Sequence, residues 1–256
     1  MLRLRALAAV AAAGAAVVMG AAPASALGPL HHQTVRLNVT GKVVALSIRG
    51  EVGDIRIVAG TSTRVVAKES WNLTAPTLTH SLKDGVLRVA APCPRGGGLE
   101  IDLGLNNCSV DFVVTVPRDV AVDAVDDVGD VTVGGLSGNE SLRTDVGAVR
   151  VDHVTASSLT AVVAAGSLRL RGLHVKSLSL RSSTGDIDAA LAAKPRSVRA
   201  RCSDGDVRLA VPSGVYAVDV RTAIGTAHVH GITVRSDAHR TLLARSADGD
   251  VSITGR

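Results

Sequence analysis

A five-residue pattern recurs along the second half of the chain: a glycine, a small or acidic residue, then two apolar residues separated by one other residue. The first regular copy reads GDVTV and the last GDVSI. The glycines stand at positions 129, 147, 166, 185, 205, 225 and 249, spaced by 18 to 24 residues. Gly53 and Gly85 begin earlier, less regular copies. Such self-similarity at a nearly fixed spacing predicts a structural repeat.

Each repeat carries a second alternating segment just before its glycine. Leu178–Arg181, Val198–Arg201 and Val218–Arg221 alternate apolar and other residues, the period of a half-buried β-strand. Glycine supplies the positive φ of a tight turn, and a following aspartate can accept hydrogen bonds from nearby amides. One unit is therefore predicted as strand, short turn, strand and a longer return.

These units predict an all-β protein whose residues 118–256 form a β-solenoid, a single-stranded β-helix-like stack. Neighbouring units would lie about 4.8 Å apart, strand on strand. A run of antiparallel hairpins in a sandwich is the alternative, and the nearly constant register of the glycines favours stacking. The residues expected in one inner column are Val131, Val149, Leu168, Ile187 and Val207.

Residues 27–117 follow the pattern less closely. Thr34–Val39, Ala45–Ile48 and Asp111–Val116 have the composition of strands. We expect this irregular β region to cap the stack, because an open end would expose a strand edge prone to pairing.

Residues 1–26 have the features of an export signal. A short basic start with Arg3 and Arg5 precedes an apolar run of 14 residues, and Ala24-Ser25-Ala26 gives a small-x-small cleavage site. The apolar run is shorter than the roughly 20 residues of a membrane span. The sequence thus predicts a secreted or cell-surface protein with no integral membrane segment after cleavage.

Composition predicts a thin core and does not suggest nucleic acid as a partner. Trp71, Phe112 and Tyr216 are the only aromatic residues, so Val, Leu, Ile and Ala must fill the interior. Removing residues 1–26 takes away two arginines and no acidic residue, which lowers the net charge from +5 to +3. This small excess of positive charge is not that of a nucleic-acid-binding chain.

Three cysteines are present. In an oxidising compartment Cys93 and Cys108 are the natural disulfide pair, closing a glycine-rich loop. Cys202 is then left over, either as a buried small residue or as a spare thiol.

The order of these motifs resembles the bacterial DUF4097 family of adhesin-like cell-surface proteins. The resemblance rests on the Gly-Asp-apolar-x-apolar copies, the segment from Cys93-Pro94 to Asn107-Cys108-Ser109 and the Val116-Pro117 step before the regular repeats. It covers most of the chain after residue 26. It implies an exported, β-solenoid-like domain, and it supplies no catalytic residues.

Arginines recur at two outward positions of the repeat. Arg150, Arg169 and Arg208 stand three residues after a glycine, and the other set, four residues before a glycine, is Arg143, Arg181, Arg201, Arg221 and Arg245. Stacked arginines repel unless acidic neighbours or bound anions offset them. Aspartates one residue after the glycine, such as Asp186 and Asp206, could provide that offset. The arginines therefore form either a basic face for an anionic cell-wall polymer, polysaccharide or lipid headgroup, or a solvated face of mixed charge.

Motifs of catalysis and metal binding are weak. One cluster of aspartates could supply the carboxylates of a β-helix lyase or hydrolase: Asp186, Asp188, Asp204 and Asp206. A cation bridging Asp186 and Asp206 would lack the nine-residue repeat of calcium solenoids. His228 and His230 share a strand face without a third ligand. We therefore expect no cofactor and no metal site.

The predicted function is that of an exported, non-catalytic surface or scaffold protein, adhesin-like, that contacts an anionic envelope polymer through its arginine ladders. Two alternatives remain open: a carbohydrate-active β-helix enzyme, and a module of the envelope stress response that binds another envelope protein.

Overall fold

The computed structural model describes residues 29–94 and 107–256, and the predicted export signal lies outside them. This part of the chain is all-β and contains no helix, so no helix in it could cross a membrane. The strands are β1 (His31–Asn38), β2 (Ala45–Val52), β3 (Ile55–Ala59), β4 (Arg64–Trp71), β5 (Thr79–Lys83), β6 (Val86–Ala90), β7 (Cys108–Val116), β8 (Ala121–Val128), β9 (Val131–Gly134), β10 (Glu140–Val146), β11 (Val149–Asp152), β12 (Thr155–Ala165), β13 (Leu168–Thr184), β14 (Ile187–Leu191), β15 (Ser197–Asp204), β16 (Val207–Val211), β17 (Val215–Ile224), β18 (Ala227–His230), β19 (Thr233–Val234), β20 (Thr241–Asp248) and β21 (Val251–Gly255).

The strands build two sheets that enclose one narrow core. In the front sheet, β2, β8, β10, β12, the second half of β13, β15, β20 and β17 pair in parallel. In the back sheet, β3, β9, β11, the first half of β13, β14, β16, β21 and β18 do the same. Each repeat unit contributes one strand to each sheet. We call such a unit, with its two strands, a rung. Parallel pairing throughout the repeats confirms the stack and excludes the sandwich of hairpins.

The expected inner column is present. Val131, Val149, Leu168, Ile187 and Val207 are fully buried and stand in direct register on neighbouring strands of the back sheet. The residues two and four after each repeat glycine, from Gly129 to Gly205, point inward, as the alternation predicted. The aliphatic core is thus continuous along the stack.

The glycines form the corner where each rung passes from the front sheet to the back sheet. At Gly185, φ is +120°, and an added Cβ would lie 2.2 Å from the carbonyl oxygen of Gly166 in the neighbouring rung. A side chain at this corner would therefore meet both backbone strain and the next rung. Gly53 forms an equivalent corner, whereas Gly85 lies in the tight turn between β5 and β6 and begins no rung.

The last two rungs stack in the reverse of their chain order. β20 pairs with β15 on one side and β17 on the other, and β21 likewise lies between β16 and β18. The rung of Gly249 is thus inserted between those of Gly205 and Gly225. The rung of Gly225 consequently forms the end of the stack.

At the opposite end, the less regular strands extend both sheets. β6 pairs in parallel with β2, and β5 pairs with β6 in an antiparallel hairpin. In the back sheet, β7 joins β3, and β4 and β1 follow in antiparallel order. The predicted boundary after residue 117 falls between β7 and β8, although β2 and β3 already form a regular rung.

Candidate anion-binding site

The arginines of the back sheet face carboxylates. Arg150 forms an ion pair with Asp130, and Arg208 pairs with Asp206 at 2.5 Å and with Asp186 at 3.7 Å. Burial alone would raise the pKa of Asp130, but hydrogen bonds from Arg150 and from the Ala148 amide hold it below its usual value. The outer face of the back sheet therefore has mixed charge, which is the second of the two arrangements considered for the arginines in the sequence analysis.

Arg169 lies between Arg150 and Asp188 in the same column of outward positions, because Arg150, Arg169, Asp188 and Arg208 are in register on consecutive strands. Each arginine of this column consequently has a carboxylate in its own or a neighbouring rung. Arg169 forms no ion pair with a described residue, but Asp188 stands beside it in register.

The front-sheet arginines form a ladder, in an order that differs from the chain order. From the middle of the stack to its end, the register runs Arg143, Val162, Arg181, Arg201, Arg245 and Arg221. Val162 separates Arg143 from the others. Arg245 stands beside Arg201 because its rung is the inserted one.

Ion pairing divides this ladder. Arg143 pairs with Asp145 on its own strand at 2.8 Å. Arg221 pairs with Asp219 at 2.8 Å, and Arg245 also pairs with Asp219. These contacts, that of Arg245 first, lower the pKa of Asp219.

Arg181 and Arg201 form no ion pair with any described residue. They differ from Arg143 in the residue that stands two positions after the arginine on the same strand. Asp145 occupies that position beside Arg143, whereas Ser183 and Ser203 occupy it beside Arg181 and Arg201. The two arginines are thus adjacent, exposed and uncompensated.

Arg181, Arg201 and Arg245, together with Ser183 and Ser203, line a surface groove of about 490 Å³, which we call the corner groove. Guanidinium and hydroxyl groups give it several hydrogen-bond donors. Asp204 and Asp248 are exposed three residues after Arg201 and Arg245, directly before the corner glycines. The groove is accordingly suited to an anion that approaches from the outer face of the sheet.

The aspartates after the corner glycines have a structural role. Oδ1 of Asp186 accepts a hydrogen bond from the amide of Asp206 at 3.0 Å, and Oδ1 of Asp130 accepts one from Ala148 at 2.7 Å. Asp54 accepts one from Asp130 in the same way. Each carboxylate therefore joins its rung to the next one.

The carboxylates considered for catalysis do not share one cleft. Asp186 and Asp206 are engaged with backbone amides and with Arg208, and Asp188 lies on the outer face of the back sheet. Asp204 belongs to the front sheet and stands in register with Thr184 and Asp248. No group of three or more His, Cys, Asp and Glu side chains in residues 29–94 and 107–256 is placed to hold a metal ion.

A second basic cluster was missed in the sequence. Lys176, Lys194, Arg196, His239 and Arg240 line a hollow of about 550 Å³, which we call the edge cluster. Lys176, Arg196 and Arg240 each stand nine residues before the glycine of their rung. This constant offset is the signal that could have revealed the column, although the three residues lie outside the alternating segments that predict the strands.

The disulfide between Cys93 and Cys108 is present, with Cα atoms 5.8 Å apart. Cys202 is a buried free cysteine, and its Sγ donates to the carbonyl of Gly185 at 3.2 Å. Burial raises the pKa of this thiol. Of the two predictions for Cys202, the buried small residue is therefore the one observed.

One family model and several solved structures are similar to this chain. The sequence model described as Toastrack DUF4097 matches residues 45–254. A Bacteroides fragilis structure named "putative adhesin" aligns with a TM-score of 0.56 at 18% identity, covering 88% of this chain and 97% of that one. A structure of the same name from Parabacteroides merdae aligns with a TM-score of 0.40 at 12% identity, covering 87% and 95%. No curated protein matches the chain significantly.

Proposed function

Because the chain belongs to the Toastrack DUF4097 family, we propose that it is an exported, non-catalytic, adhesin-like protein that binds an anionic polymer of the cell envelope through the corner groove. Similarity to the Bacteroides fragilis structure named "putative adhesin" supports a binding role. In this proposal, Arg181 and Arg201 contact the polymer directly. Arg245, which is paired with Asp219, lines the groove beside them.

One observation supports this assignment above the others: Arg181 and Arg201 stand in register without a carboxylate partner. Two guanidinium groups on strands about 4.8 Å apart repel each other. The same ladder pairs Arg143 with Asp145, so a strand of this sheet can carry a compensating carboxylate two residues after its arginine. A bound anion would relieve the repulsion at Arg181 and Arg201 and would accept hydrogen bonds from both.

The experiment compares the wild-type protein with the variant Arg181→Gln/Arg201→Gln. Retention on purified cell wall and its dependence on salt concentration would be measured. Losing two charge-assisted contacts should weaken binding by about 10-fold or more. Wild-type binding should also fall as salt rises, because screening weakens contacts between exposed charges.

Arg143→Gln is the matched control, because it removes a positive charge from the same ladder where that charge is already paired. It should change binding by less than about 2-fold. Unaltered, salt-insensitive retention of the double variant would contradict the proposal. Equal losses in the double variant and the control would show a nonspecific effect of net charge.

A second candidate, contact with another envelope protein, is favoured by the open end of the stack. Ile224 and Val229 on the terminal rung are 66% and 40% exposed, and the nearby Val234 is 54% exposed. Exposed apolar residues beside an unpaired strand edge form a surface that a protein can cover. Ile224→Lys/Val229→Lys should abolish co-purification with such a protein and leave retention on cell wall unchanged.

A further inference from the structure

We propose that the edge cluster is a second anion-binding site, and that it and the corner groove form the two ends of one track for an extended, phosphate-bearing polymer. This inference rests on the proposed function of the corner groove and adds the class of polymer and the direction in which it lies.

The edge cluster is a column of cations on three consecutive rungs. The amide of Arg196 donates to the carbonyl of Lys176 at 2.8 Å, and the amide of Thr241 donates to the carbonyl of Arg196 at 3.0 Å. Lys176, Arg196 and Arg240 therefore follow one another at the spacing of paired strands, about 4.8 Å. They stand at the start of the front-sheet strands, on the edge opposite the glycine corners.

Two residues from the return segments complete the hollow. Lys194 precedes Arg196 on the return to β15, and His239 precedes Arg240 on the return to β20. No carboxylate lines the hollow, and none of its five residues forms an ion pair within the described part of the chain. The two lysines and two arginines of the hollow, without counter-charges, would gain most from an anion that carries several charges.

The corner groove lies on β13, β15 and β20, and the edge cluster lies on β13 and directly before β15 and β20. Arg196 directly precedes β15 and Arg201 lies within it, five residues further along, which corresponds to about 16 Å along an extended chain. Arg199 lies between them, is exposed, and has no ion pair with a described residue. The side chains of β15 thus connect the two sites across the outer face of the front sheet.

The donors of this track favour phosphoryl groups over other anionic groups. A phosphoryl group offers up to three acceptor oxygens and as many as two charges, which matches clustered arginines, lysines and serine hydroxyls. An uncharged sugar chain would need aromatic platforms, yet Phe112 and Tyr216 are fully buried. Trp71 lies in β4, away from this face, and stacks on His31.

The test measures binding of triphosphate, long-chain inorganic polyphosphate and polyglutamate to the full chain. A long polymer that engages both sites should bind at least about 100-fold more tightly than triphosphate, because the second contact is intramolecular. Lys176→Gln/Arg196→Gln and Arg181→Gln/Arg201→Gln should each reduce this advantage to below about 10-fold. Melting temperatures would verify that these exposed substitutions leave the fold intact.

Arg235→Gln is the control for the edge cluster, since Arg235 lies near His239 in the chain but is paired with Asp237 at 2.7 Å. It should leave polyphosphate binding unchanged. If the groove variant loses binding while the edge variant equals wild type, the shared track is refuted and the proposed function stands. If neither variant changes binding to polyphosphate or to cell wall, both proposals fail. Equal affinity for polyglutamate would refute the preference for phosphate.

Discussion

The amide nitrogen of Asp250 lies 2.8 Å from Oδ1 of Asp206, although 44 residues separate the two in the chain. Oδ1 of Asp250 in turn accepts hydrogen bonds from the amide and the hydroxyl of Thr226, both at 2.8 Å. The aspartate of the inserted rung therefore connects its two neighbours in the stack. These contacts hold the C-terminal rung between two rungs that precede it in the chain.

Asp206→Ala should lower the free energy of unfolding by about 1–2 kcal/mol, because it leaves the Asp250 amide without its acceptor and removes the ion pair with Arg208. Asp206→Asn retains an oxygen acceptor and should recover more than half of the loss. Denaturant unfolding measures both variants. Asp204→Ala is the control and should change stability by less than about 0.5 kcal/mol, since its side chain is exposed.

The sequence was sufficient to predict the rungs, because alternation and corner glycines are local properties of each unit. The inner column from Val131 to Val207 follows from them directly. The order of the last two rungs could not be predicted in this way. The spacing from Gly225 to Gly249 is longer than the others, but a longer return does not specify on which side the next rung docks.

The candidate site was predicted only in part, because it too depends on which rungs are neighbours in the stack. Arg181 and Arg201 were recognised as outward residues, yet their lack of a partner depends on which carboxylates lie in neighbouring rungs. Arg245 reaches Asp219 only because its rung is inserted beside β17. The edge cluster depends in addition on the return segments that carry Lys194 and His239, and these have no regular pattern.

Gly185→Ala should destabilise the fold by about 3 kcal/mol or more, because the new Cβ would meet the Gly166 carbonyl at 2.2 Å and φ is +120°. Gly134 is the matched control. An added Cβ there would meet its nearest neighbour, the Asp152 carbonyl oxygen, at 3.8 Å, an ordinary contact. Gly134→Ala should therefore change stability by less than about 1 kcal/mol in thermal or denaturant unfolding. Equal costs at the two positions would contradict the role assigned to the corner.

Two carboxyl groups are buried in the core without hydrogen-bond partners among the described residues, Asp126 and Glu140. Glu140 stands between Val122 and Leu159 in register, where the neighbouring rungs place aliphatic side chains. Burial raises its pKa to about 8. Burial, and then the negative charge of Asp127, raise the pKa of Asp126 to about 7.

These raised pKa values predict that stability falls as pH rises. Each group is protonated in the folded state and ionised in the unfolded state between its unfolded pKa, 4.5 or 3.8, and its folded pKa. Within that window each lowers the free energy of unfolding by about 1.4 kcal/mol per pH unit. Their contribution is complete below the unfolded pKa and is lost as pH passes through about 7 for Asp126 and about 8 for Glu140.

Glu140→Leu tests this prediction, because leucine matches Leu159 in the next rung. The variant should be more stable than wild type by at least about 2 kcal/mol above pH 8, and its stability should decline less steeply between about pH 5 and pH 7. Urea unfolding across that range gives both quantities. A variant with the same slope as wild type would show that Glu140 is ionised in the folded protein.

Cys202 occupies a position that carries a hydroxyl in several other rungs. Ser246 donates to the carbonyl of Gly205 at 2.8 Å and Thr144 to that of Gly129 at 2.9 Å, as the Cys202 thiol does to Gly185. Cys202→Ser should therefore change stability by less than about 1 kcal/mol, whereas Cys202→Ala should cost about 1–2 kcal/mol by leaving the partly buried Gly185 carbonyl without the thiol donor. Because burial also raises its pKa, the thiol should react with iodoacetamide only at the rate of unfolding. Rapid labelling of the folded protein, or equal stability of the Ser and Ala variants, would contradict this role in the corner.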